Sequence, residues 1–82
     1  MLLEITLVAA VSVHTISTVE LEQLYWDCDT AYMQKTLSGQ DMNTCLSITS
    51  EFIERRFLND MQTFWSYWAE QRVAQWRLRG YK

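Results

Sequence analysis

Beyond residue 17, apolar positions recur every three to four residues, the period of helices packed on one side. Leu21, Leu24, Cys28, Ala31 and Tyr32 share one face of a first helix, with Glu20, Glu22, Asp27 and Gln34 turned to water. Met42, Cys45, Leu46, Thr49, Phe52, Ile53 and Phe57 form the apolar side of a second. A third runs through Met61, Phe64, Trp65, Trp68, Arg72 and Trp76. Start and stop signals bracket the stripes. Ser17-Thr18-Val19-Glu20 fits a capping box, so the first helix opens at Thr18 or Val19. Gly39 is expected to cap the end of that helix, Ser38 with Asp41 to start the next, Asn59 to cap the third and Gly80 to stop it. With no proline and two glycines, the chain favours a few long helices over a multi-turn β fold. Short connections make consecutive helices antiparallel. The pattern therefore predicts an all-α fold, a helical hairpin plus a third C-terminal helix, with residues 18–82 as one small domain.

Residues 1–17 follow a different pattern. Ile5 to Val13 is apolar except for Thr6 and Ser12, the length of a signal-peptide core and short of the ~20 residues of a membrane span. Ala10 and Ser12, or Thr15 and Ser17, could stand at the −3 and −1 positions of a cleavage site, giving a mature chain that begins between Val13 and Thr18. No Lys or Arg precedes Lys35, and Glu4 stands where a signal peptide is basic. Two other readings fit the segment. Ile5, Leu7, Ala9, Val11 and Val13 alternate as in a strand, which would have to pair with a second copy or another protein. Alternatively, the segment is an apolar helix packed on the others. No integral membrane span is expected.

A single core in a chain of 82 residues supplies only ~3–5 kcal/mol, so some reinforcement is expected. Cys28 and Cys45, the only cysteines, stand on either side of Ser38-Gly39. Antiparallel helices would leave them roughly four residues, or ~6 Å, out of level. A tilted crossing or an asymmetric turn closes that gap to the ~5.5–6 Å Cα separation of a disulfide. The bridge would close a loop of ~18 residues and stabilise the fold by ~3 kcal/mol. Such bridges persist in the periplasm or outside the cell.

Other chemistry is thinly represented. His14 is the only histidine, so a zinc site at the cysteines would need an unusual carboxylate set, and no metal or cofactor is expected. Asp27 and Asp29 flank Cys28 and would raise its thiol pKa, which disfavours a reactive thiolate. Two positions apart on a helix, these aspartates do not share a face and read as solvated surface. No nucleophile and base pair stands out near His14. The six carboxylates before residue 51 outweigh Lys35 for a net −5, whereas Glu51 to Lys82 carries +2. A chain that is acidic overall is not a nucleic-acid footprint.

The third helix holds the strongest hint of a contact surface. Its aromatic stripe is wider than a two-helix platform can bury, and Trp, Tyr and Arg dominate binding hot spots. Arg72 lies four residues from both Trp68 and Trp76, placed for cation–π stacking. Trp65 is expected in the core, and Trp76, near the end of the helix, on the surface. Tyr25-Trp26-Asp27-Cys28-Asp29-Thr30, with Gly39-Gln40-Asp41-Met42 and Thr44-Cys45-Leu46, resembles a pattern of small uncharacterised bacterial proteins that are often predicted to be exported. The resemblance spans Leu21 to Tyr81 and implies no activity. The combined reading is a non-enzymatic protein-interaction module of the periplasm or cell envelope, binding a protein partner or its own copy through Trp65, Trp68, Arg72, Trp76 and Arg79. The alternatives are a cytosolic inhibitor or modulator with reduced cysteines, and a thiol redox protein.

Overall fold

The computed structural model describes residues 15–81. They form three helices, α1 (Thr18–Gln34), α2 (Gly39–Phe57) and α3 (Met61–Leu78), with no strand among the described residues. The signal-like, strand and helix readings of the first segment fall mainly on residues 1–14, outside the described ones.

Side-chain oxygens open all three helices. The Ser17 hydroxyl accepts the Glu20 N–H at 3.2 Å, and Ser38 accepts that of Asp41 at 3.1 Å. Two cap assignments differ from the sequence reading. Gly39 is the first residue of α2, and α1 ends instead on Lys35 in the left-handed region, φ 60°. There the N–H groups of Lys35 and Thr36 return to the carbonyls of Tyr32 and Ala31, which satisfies the helix end without glycine. Asp60 rather than Asn59 caps α3, accepting the Thr63 N–H at 3.2 Å, because Asn59 itself is left-handed at φ 62°. That bond holds the Asp60 carboxyl below its usual range.

The core joins Leu21, Tyr25 and Trp26 of α1 to Ile48, Phe52, Ile53 and Phe57 of α2 and Phe64 of α3. Tyr25 stacks on Phe52, ring centroids 4.9 Å apart, and meets Trp26 and Phe64 edge-on. Phe57 is edge-on to both Phe52 and Phe64. The stripe read from spacing is thus shifted around both hairpin helices. On α1 the large rings of Tyr25 and Trp26 fill the centre, while Leu24 and Cys28 pack at its margin. Tyr32 and Leu46, assigned to packed faces by spacing, are 59% and 58% exposed. The reason is the third helix, which covers the Tyr25 and Trp26 side of α1 and leaves the turn end of the hairpin open.

Cys28 and Cys45 form the expected disulfide, Cα–Cα 5.6 Å, which staples α1 to α2. At the other end of the hairpin Arg55 holds the entry to α1. Its guanidinium donates to the Ile16 carbonyl and pairs with Glu51 at 2.9 Å. No helix of the described residues is long and apolar enough to cross a membrane.

Candidate partner-binding surface

α3 buries Phe64, packs Tyr67 and Trp68 against the core, and is further fastened to α1 by polar groups. The indole N–H groups of Trp68 and Trp76 both donate to the Asp29 carboxylate, at 3.2 and 2.9 Å. Their rings meet edge-to-face, and the Arg72 guanidinium lies over both, 4.9 Å from the Trp68 centroid and 5.7 Å from that of Trp76. The stacking read from i, i+4 spacing is therefore present. Arg79 donates to Asp27 at 2.7 Å and to the Gln23 side chain at 2.9 Å. Tyr67 donates its hydroxyl to Glu22, which also accepts the Trp26 indole N–H at 3.2 Å. Tyr67, in the first half of α3, and Arg79, just past its C-terminal end, thus reach the adjacent residues Glu22 and Gln23 of α1. The third helix crosses the first obliquely.

This geometry reverses the expected roles of two tryptophans. Trp76 is half-buried and tied to Asp29, whereas Trp65 is 52% exposed, touching Trp68 edge-on at 5.5 Å. The oblique crossing swings the C-terminal half of α3 over α1 and leaves Trp65 at the edge of the contact. Of the five residues singled out from the sequence, Trp68, Trp76 and Arg79 bond α3 to α1, and Arg72 stacks on the two tryptophans within α3. Trp65 alone presents most of an aromatic ring to solvent.

Asp29, a solvated surface position by its spacing, is instead the half-buried acceptor at the centre of this crossing. Burial first, and the Asp29 charge second, push the neighbouring Tyr25 phenol well above its ordinary range. Burial and then the bond to Glu22 push Tyr67 up to about 12. A signal for this arrangement was present in the spacing of Glu22, Tyr25, Trp26 and Asp29. Those positions, i, i+3, i+4 and i+7, make one helical stripe of acceptors and rings.

Asp29→Ala is expected to lower stability by ~1–3 kcal/mol, because two indole donors lose their acceptor inside a partly closed contact. The measurement is a urea melt together with tryptophan emission, which should shift to the red as Trp68 and Trp76 meet water. Asp29→Asn keeps an acceptor and should restore most of the loss.

Beside Trp65 the three helices leave a groove of about 430 Å³. Tyr32, Leu37, Met42, Leu46, Met61 and Trp65 line it, and the Cys28–Cys45 bridge forms part of its wall. Leu46, Met61, Tyr32 and Trp65 are all substantially exposed there. Bridged cysteines offer neither thiolate nor metal ligand, and no cluster of metal-binding side chains occurs among the described residues. The surface suits contact with apolar groups. Comparison of the chain with protein-family models, curated proteins and solved structures finds no match.

Proposed function

We propose that this protein is a non-enzymatic interaction module of an oxidising compartment, the bacterial periplasm or cell envelope. Its groove receives an amphipathic helix of a partner protein, with Trp65 as the anchoring contact. The observation that carries this reading is the row of exposed large apolar side chains, Tyr32, Leu46, Met61 and Trp65, gathered around one groove. Scattered exposed hydrophobics are ordinary, but a contiguous set marks a contact site. From Met42 to Ile53 the groove follows α2 for roughly 17 Å, about three turns of helix, the length of common helix-in-groove ligands. Asp29 lines the groove, and the hairpin that frames it is acidic, with Glu20, Glu22, Asp27, Asp29, Asp41, Glu51 and Glu54 against Lys35, Arg55 and Arg56, the last two at the end of α2 away from the turn. Charge complementarity thus selects a partner helix with basic residues beside its apolar face. The bonded cysteine pair favours the exported setting over a reduced cytosolic one.

Site-specific photo-crosslinking in producing cells tests the proposal. A photoreactive residue at Trp65 should give one discrete protein adduct, carrying a basic amphipathic segment at the linked site. The same residue at Ser47, on the outer face of α2, should give none, and Leu46→Glu should abolish the Trp65 adduct. Equal adducts at both positions, or none at Trp65, would overturn the reading.

A further inference from the structure

We propose that α3 exchanges between two copies of this chain. In the resulting dimer α2 and α3 join into one continuous helix, and each groove is built from both chains. The joint between the two helices is Leu58-Asn59-Asp60, where Leu58 and Asn59 are left-handed in succession, φ 53° and 62°. In that region a leucine Cβ crowds the following carbonyl oxygen. Leu58 is also 85% exposed, so little packing compensates for the crowding. No proline stands at the joint to stop a helix from running through it.

The other turn is not free to open in the same way. Lys35 is left-handed as well, but the Cys28–Cys45 bridge ties α1 to α2 across it. The covalent staple leaves the α2–α3 joint as the place where the bundle can unhook. The contacts that seat α3 suit exchange, because they are donor and acceptor pairs across one charge-complementary face. Tyr67, Trp68, Trp76 and Arg79 give to Glu22, Asp29 and Asp27 of α1, and the pairs form equally well when α3 comes from a second copy.

Two features favour the closed monomer. The Asp60 cap and the bond from the Asn59 N–H to the Ile53 carbonyl exist only in the turn, and a single chain has no association cost. Concentration therefore sets the balance. In the dimer, Met61 and Trp65 of one copy face Tyr32 and Leu46 of the other, so the site is composite. The exchange stands independently of what the groove binds.

Opposite changes at the joint provide the test. The dimer association constant of the whole chain is measured by light scattering after refolding at up to about millimolar concentration. Asp60→Ala removes a cap that only the closed form uses and should raise the constant on the order of tenfold. Leu58→Gly relieves the left-handed crowding and weakens the joined helix, and should lower it by at least as much. Exchange is separated from simple surface contact by co-refolding Asp27→Arg with Arg79→Asp. Each swapped heterodimer regains opposite charges at both crossings, so native mass spectrometry should find it above its statistical share. Absence of dimer in all of these chains, changes of the same sign at Leu58 and Asp60, or a statistical mixture would overturn the exchange.

Discussion

Trp26→Ala is expected to lower the free energy of unfolding by ~3–5 kcal/mol, as much as a single core of this size supplies, which leaves the fold dependent on its disulfide. Trp26 has no exposed surface, meets Tyr25 edge-on at 5.0 Å, and gives its indole N–H to Glu22. Truncation empties a large space in a core formed by eight of the described residues and removes an indole donor that Glu22 serves beside Tyr67. Tyr25, the ring that meets Trp26, is itself held by Phe52 and Phe64, so the space can close only in part. Trp65→Ala is the informative contrast. With half its surface already in water, it should cost about 1 kcal/mol or less while weakening partner capture. Chemical denaturation followed by far-ultraviolet dichroism checks both. A Trp26 variant no less stable than the Trp65 variant would contradict this account of the core.

Joint replacement of Cys28 and Cys45 by alanine is expected to cost ~2–4 kcal/mol under oxidising conditions and almost nothing under reduction. The pair is 17 residues apart, so the bridge restricts the unfolded chain chiefly by closing that loop. The two side chains are half-buried, and shortening each to alanine removes little packing beside that restriction. Oxidised wild-type protein should melt well above the double variant, and reduced wild-type should coincide with it. Two freely alkylated thiols in the oxidised, folded protein would contradict the staple outright. The bridge also orders the other expectations. It keeps the α1–α2 hairpin intact when α3 is loosened, so Asp29 variants should lose tryptophan burial before they lose helix.

The readings that succeeded rest on local chemistry. Ser17 and Ser38 announce helix starts because their hydroxyls meet N–H groups three residues on, an interaction contained within four residues. The three helices, the antiparallel hairpin and the reach of Cys28 to Cys45 follow from period, turn position and rise per residue. Where two local solutions competed, the sequence reading went astray. Gly39 can end a helix or begin one, and Asn59 and Asp60 are both competent caps.

Periodicity places a side chain around its own helix but says nothing of the angle at which another helix crosses. That angle decided which tryptophan is buried. Met61, Phe64, Trp65, Trp68 and Trp76 were legible as one broad stripe, yet only the oblique crossing of α3 over α1 puts Trp76 on Asp29 and leaves Trp65 at the groove. Asp29 itself meets indoles 39 and 47 positions away along the chain. A carboxylate on a helix surface is solvated by default, and it becomes a structural acceptor only when a distant element brings donors to it. The chain alone thus determined its helices, their caps at Ser17 and Ser38, and the cysteine staple, all set by neighbours within a few turns. The identity of the core, the role of Asp29 and the groove beside Trp65 were decided by the tertiary crossing, because each depends on surfaces that meet only after the helices pack.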